Sequence, residues 1–200
     1  SAYNDDFLGM TTADINPYSE KEFDNSPLNR VNKQAAPGKD WKLGNDHEIE
    51  IDYLTNTFNP SSPTNPSNDN VRLYKVSLSF ANSTYTPTLV LGIGNNAYYS
   101  ANELYKSIVK DENHDGSSTK NHTTEEFKNK QGQVLLKRTY TDSDVNNNGI
   151  IGQSESQLQH DTYYVYDDYG NLTYVLPPKA EPQTEQPNIT ELNELCYQYK

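Results

Sequence analysis

Apolar and polar residues alternate with a period of two through much of this chain. From His47 to Thr55, Ile49, Ile51 and Tyr53 fall on one side and Glu48, Glu50 and Asp52 on the other. That pattern predicts a half-buried strand with solvated carboxylates. Val71–Phe80 alternates again, with Arg72, Tyr74, Val76, Leu78 and Phe80 on one face. Thr88–Ile93 reads as a short apolar strand, and Glu103–Lys110 as a less regular one. Two hairpins follow. Glu125–Asn129 and Gln133–Tyr140 flank the turn Lys130-Gln131-Gly132, and Thr162–Tyr166 and Leu172–Leu176 flank Asp167-Asp168-Tyr169-Gly170-Asn171. Glycine in such short loops accepts a positive φ without a Cβ clash. Strands joined by tight turns pair antiparallel. The expected fold class is all-β: antiparallel hairpins wound side by side, with one short C-terminal helix and long irregular loops.

The interruptions divide the chain. Residues 1–45 are rich in Asn, Asp, Pro and Gly and read as an irregular, extended segment packing on the sheet. Within it Trp41, the single tryptophan, reads as a core plug at a sheet edge. Residues 46–178 form the hairpin domain, broken by a proline-rich polar loop at 59–68. Residues 179–200 comprise a linker, a helix over Asn188–Leu195 and the start of a further strand. Asn188 can cap that helix, with Glu191 at the capping-box offset. The chain stops at that strand without a closing turn, as a fragment of something longer would.

Composition narrows the classes. Only 32% of residues are hydrophobic, but 16 are Tyr, which buries an apolar ring while keeping its hydroxyl wet. A thin core with a solvated side is the expectation. No apolar run approaches the length of a membrane span. The net charge of −12 opposes a nucleic-acid groove, which needs a basic stripe. The single cysteine, Cys196, excludes an internal disulfide. Without a histidine near it in sequence to activate it, Cys196 reads as a buried small residue. The four histidines show no ligand spacing, and no catalytic constellation is present.

The segment Tyr163-Tyr164-Val165-Tyr166-Asp167-Asp168-Tyr169-Gly170-Asn171-Leu172-Thr173-Tyr174-Val175-Leu176-Pro177-Pro178 resembles the Tyr-Asp (YD) hairpin of RHS-repeat proteins in its Bacteroidetes form. Three upstream stretches agree in family order: Asn25–Val31, Ala36–Trp41 and Thr124–Leu136. All resemble the segment that precedes the main YD-repeat array in those large secreted proteins. The resemblance covers most of residues 15–178, with the tail Leu195–Lys200. It implies hairpins that spiral into a hollow shell around a C-terminal cargo, often a polymorphic toxin. Only one clear YD hairpin is legible, so this stretch could not close a shell by itself. Extracellular or cell-surface placement follows from the same resemblance.

One motif is chemically pointed. Asp144-Val145-Asn146-Asn147-Asn148-Gly149-Ile150-Ile151-Gly152-Gln153-Ser154-Glu155 fits the twelve-residue calcium loop. Asp144, Asn146 and Asn148 stand at positions 1, 3 and 5, Ile150 would offer its carbonyl at position 7, and Glu155 would bind in bidentate fashion at position 12. The competing reading is a polar hairpin tip, because Asn-Gly is itself a favoured turn. Asp111–Gly116 begins a similar loop but reaches His122 at position 12 and reads as a solvated turn. Asp167-Asp168 serves its turn rather than catalysis. Tyr163, Tyr164, Tyr166, Tyr169 and Tyr174 could offer a sugar-stacking platform, although cross-strand packing explains them more simply. The sequence therefore points to a non-enzymatic structural segment of a secreted RHS-like protein, with the rest of its parent chain as partner and calcium as a possible stiffener. The alternative is an adhesin-like module binding a glycan or a surface protein. No nucleic acid and no membrane span are expected.

Overall fold

The computed structural model describes residues 11, 15–59, 61, 68–92, 97–114, 120–142 and 157–199. Eleven strands are formed among them: β1 (Glu20–Phe23), β2 (Val31–Ala35), β3 (Ile49–Thr55), β4 (Tyr74–Ala81), β5 (Thr84–Leu91), β6 (Tyr105–Lys110), β7 (Thr123–Lys128), β8 (Val134–Asp142), β9 (Gln157–Tyr166), β10 (Leu172–Leu176) and β11 (Tyr197–Gln198). Nine make one sheet in the order β1-β2-β3-β6-β7-β8-β9-β10-β11. Every neighbour in it is antiparallel. The protein is all-β, as the alternating pattern predicts. Its helix α1 spans Ile189–Glu194, where the Asn188 side chain and Glu191 close the capping box.

The order departs from the chain only once. β4 and β5 leave the sheet and pair with each other, Tyr74 opposite Leu91 down to Ala81 opposite Thr84. Asn82 and Ser83 both take positive φ, 50° and 61°, as a two-residue hairpin turn requires. This hairpin lies across one face of the sheet. Tyr74, Val76 and Leu89 meet Phe127, Leu136, Tyr163, Val165, Tyr174 and Leu176 there, and Leu192 of α1 closes the cluster. The tyrosine hydroxyls find carbonyls as they are buried, since a buried O–H without a partner is costly. Tyr74 donates to Pro182 (2.7 Å) and Tyr174 to Pro87 (3.0 Å). Tyr163 accepts the Arg72 backbone N–H at 3.2 Å. Burial pushes the Tyr74 and Tyr163 phenols upward from their ordinary range.

Cross-strand neighbours share a face, so the register writes the covered face out in rows. The first is Leu54, Lys106, Phe127, Leu136, Tyr163 and Leu176. The second is Asp52, Ile108, Glu125, Arg138 and Asp161. The third runs Lys33, Glu50, Lys110 and Thr123. One face thus passes from apolar to ionic.

Three differences from the sequence pattern follow. Glu20–Phe23 and Val31–Ala35 lie in the stretch expected to be irregular, yet they add an edge strand and the strand beside it; their EKEF and VNKQA sequences carry little apolar alternation. Glu48, expected in solvent, is buried, while Glu50 and Asp52 on the same side stay partly exposed. Trp41 is exposed rather than a core plug, and its ring meets His47 at 5.2 Å.

Candidate functional site

Two consecutive hairpins are built to one plan. In the β9–β10 turn, Asp167 Oδ1 accepts the backbone N–H groups of Tyr169 (3.0 Å) and Asn171 (2.8 Å). The Gly170 N–H returns to the Asp167 carbonyl at 3.0 Å, with Gly170 at φ +85°. In the β7–β8 turn, Asn129 Oδ1 accepts from Gln131 (3.0 Å) and Gln133 (2.9 Å). Gly132 returns to the Asn129 carbonyl at 3.0 Å, with φ +82°. The turns also touch, since Gln133 Nε2 donates to the Gly170 carbonyl at 3.1 Å. Cross-strand pairs repeat as well: Phe127 faces Leu136, and Val165 faces Tyr174. Desolvation alone would raise the Asp167 carboxyl, but hydrogen bonds from Asn171, Tyr169 and Gly170 outweigh it and lower it. Asp167 serves its turn, as its position predicts.

Beside the apolar cluster lies a buried ionic network. Arg138 holds Asp161 through two bonds, Nε to Oδ1 at 2.7 Å and Nη2 to Oδ2 at 2.9 Å. Its Nη1 donates to the Asp69 carbonyl at 2.9 Å. Lys106 Nζ lies 2.6 Å from Asp69 Oδ1 and 3.1 Å from Glu125 Oε1. Glu125 also meets Lys120 Nζ at 3.3 Å and the Tyr140 hydroxyl at 3.0 Å. Three cations stand against three carboxylates, so the network is neutral. Burial opposes the charge on Arg138, but the Asp161 carboxylate prevails and raises it further.

Toward the opposite edge the ion pairs are wetter. Lys33 Nζ bridges Glu50 (2.6 Å) and Glu48 (3.1 Å), and Lys110 Nζ lies 3.2 Å from both Glu50 and Asp52. Hydrogen bonds from Lys33 lower the Glu50 carboxyl despite its partial burial. Burial would raise Glu48, yet Lys33 lowers it on balance. At Asp24 burial again opposes, but Arg30 and Ser26 hold the carboxyl down at about 2. These carboxylates are fixed as anions by their cations.

A groove of about 640 Å³ opens between the β4–β5 hairpin and the β9–β10 turn. Tyr85, Tyr169 and Tyr199 line it and are 63%, 79% and 51% exposed. Leu78, Pro87 and Leu172 form its apolar floor. Of the tyrosines read as a possible platform, Tyr163 and Tyr174 are in the core, and Tyr169 alone reaches this groove. Tyr85 and Tyr199 join it from distant stretches of chain that alternation alone could not bring together. Cys196 is half-buried and packs on the core, where burial pushes its thiol up to about 11.

The calcium-loop residues Asp144, Asn146, Asn148, Ile150 and Glu155 lie outside the described residues. So does most of the 59–68 loop. Among the described residues no group of three or more His, Cys, Asp or Glu is placed to hold a metal ion. No described helix is long and apolar enough to cross a membrane.

Fold and sites thus define an all-β protein of serial antiparallel hairpins with a buried ionic layer. Residues 1–55 match a family described as a domain of unknown function (DUF6443). No curated protein matches the chain, and no solved structure does.

Proposed function

We propose that the chain is a non-enzymatic structural segment of a large secreted or cell-surface RHS-like protein, a building block of a shell or fibre wall. The observation that supports this most is the shared design of the β7–β8 and β9–β10 hairpins, turn for turn and core pair for core pair. A repeat protein works this way: each hairpin buries a face only against its neighbours, and the wall grows by addition. The YD-like sequence Tyr163–Pro178 occupies the second of these hairpins. Calcium at Asp144–Glu155 would stiffen the connection between β8 and β9.

Electron cryomicroscopy of the full natural polypeptide tests the reading. The expected result is a continuous wall in which this sheet runs on into further hairpins. A module hanging apart from the rest on a flexible tether overturns it. For the metal, calorimetric calcium titration of the wild type and of Asp144→Ala is the check. Saturable binding lost in the variant supports a calcium-stiffened module, and no heat in the wild type removes calcium from the account.

The second reading, an adhesin-like module, rests on the groove lined by Tyr85, Tyr169 and Tyr199. Sugar rings stack on exposed aromatic faces, and these Tyr hydroxyls make no hydrogen bond among the described residues. A glycan array with a hit abolished by Tyr169→Ala favours this reading. An array without hits removes its glycan form.

A further inference from the structure

Lys106 is the one lysine that is buried among the described residues, and it faces two carboxylates. Its Nζ lies 2.6 Å from Asp69 Oδ1 and 3.1 Å from Glu125 Oε1. All three side chains are withdrawn from water, with exposures of 8%, 6% and 1%. The Phe127 ring lies 5.2 Å from Nζ, on the side of the apolar cluster. We propose that Lys106 and Asp69 condense into a side-chain amide, with Glu125 as the proton carrier.

The second oxygen of Asp69 is equipped for this chemistry. Oδ2 accepts the Thr57 backbone N–H at 2.6 Å and the Thr57 hydroxyl at 3.1 Å. Two donors on one carboxyl oxygen can hold the negative charge that develops there in a tetrahedral intermediate. Both reacting segments are pinned. Arg138 Nη1 donates to the Asp69 carbonyl at 2.9 Å. The Asn56 side chain, next to Thr57, accepts from the Leu104 N–H at 2.8 Å and donates to the Ser100 carbonyl at 2.8 Å. Holding reactants in place in this way substitutes for concentration, with effective molarities of about 10⁵–10⁸ M in well-oriented intramolecular reactions. Asp161 does not compete for the lysine, because Arg138 occupies both its oxygens.

The step balances without a co-reactant. One proton passes from the Lys106 ammonium to Oδ1, leaving a neutral amine beside a neutral carboxyl. The amine lone pair attacks Cγ, and Oδ2 takes the charge against Thr57. Glu125 accepts the second proton from nitrogen and returns it to Oδ1, which departs as water. A carbon–nitrogen bond forms, a carbon–oxygen bond breaks, and Glu125 ends as it began. The product removes two opposite charges from a site where their desolvation is costly. The bond would join the base of the excursion carrying β4 and β5 to the strand β6 that follows it. A chain with a single cysteine would thereby gain a covalent staple without a disulfide.

Intact-mass spectrometry of the full chain, folded, purified and then denatured, tests the proposal. The expected mass is short of the sequence mass by one water, and digestion yields a branched peptide joining Asp69 to Lys106. Asp69→Ala restores the full mass. Glu125→Gln, checked for folding by circular dichroism, slows or abolishes the cross-link. A wild-type chain at full mass overturns the proposal, as does a branch joining Lys106 to Glu125. A folded Glu125→Gln variant that cross-links as fast as the wild type removes Glu125 from the step. The wild-type mass decides the existence of the bond even where a variant fails to fold.

Discussion

One face of the sheet carries two kinds of ion pair. In the middle, Arg138, Asp161, Glu125, Lys106 and Asp69 are all buried, Asp69 reaching them from the stretch before β4. At the β1–β3 edge, Lys33, Glu50, Lys110 and Asp52 are each between a quarter and a half exposed. Both sets pair cations with carboxylates at similar distances, although only the buried one includes an arginine. What differs is the solvent. Water screens the edge pairs, and exposed pairs contribute roughly 0–1 kcal/mol each. In the interior each charge has lost its hydration, so it depends on its partner, and removing one partner strands the other. The lesson is that ion pairs of similar length can be indispensable in one place and dispensable in another.

The largest effect expected from this contrast is at Arg138. Arg138→Ala leaves Asp161 buried and unpaired, and unfolding in urea should register a loss of about 3–5 kcal/mol. Replacing both partners, Arg138→Met with Asp161→Leu, should recover most of that loss, because no orphan charge remains. A double variant as unstable as the single one would show that the network acts through its geometry rather than through charge burial. Glu48 belongs to the edge by its partner Lys33 but is itself buried. Its Oε1 accepts from Lys33 (3.1 Å) and the Gly44 N–H (3.3 Å). Glu48→Ala should cost about 1.5–3 kcal/mol in the same denaturation measurement, as for hydrogen bonds to a charged group. Lys33 would keep Glu50.

Acid should separate the regions next. Glu48, Glu50 and Asp24 have lowered carboxyls. Their contribution is therefore complete above the ordinary carboxylate range and fades as pH falls through the lowered values, ending near 2 for Asp24. Lys33 and Lys110 are raised, so their share is complete below the ordinary ammonium range and fades only as pH climbs beyond it. The fluorescence of Trp41, which sits between β2 and β3, should stay level through neutral pH and change as the solution is acidified. A signal that stays level down to about pH 2 would show that these carboxylates do not hold the edge. The smallest effect is expected at the wet edge. Lys110→Ala should change stability by under about 1 kcal/mol, and a larger loss would show that the edge is drier than its exposure suggests.

How much of this was legible in the sequence depended on range. The turn residues Gly132 and Gly170, the cap Asn188 with Glu191, and the alternating strands β7 to β10 all act within a few residues, and each lies where the pattern places it. Glu48 was read as solvated along with Glu50 and Asp52, yet it alone of the three is buried, because alternation reveals that a strand has two sides but not what covers each position. β1 and β2 escaped notice because strands at the margin of a sheet need little apolar surface, and theirs shows little alternation. Tyr85 and Tyr199 were missed as groove residues because no local signal links them to Tyr169.

By itself, then, the sequence determined the all-β class, the antiparallel hairpins, the cap of α1 and a chemical motif at Asp144–Glu155. Period-two alternation and turn chemistry are local properties, written in neighbouring residues. Only the tertiary structure decided that β4 and β5 leave the sheet to cover it, and that the covered face includes its charges. Only the tertiary structure put Asp69, Lys106 and Glu125 together. Their meeting follows from strand register and from the burial of an apolar hairpin on one face, and both are set by contacts between distant parts of the chain.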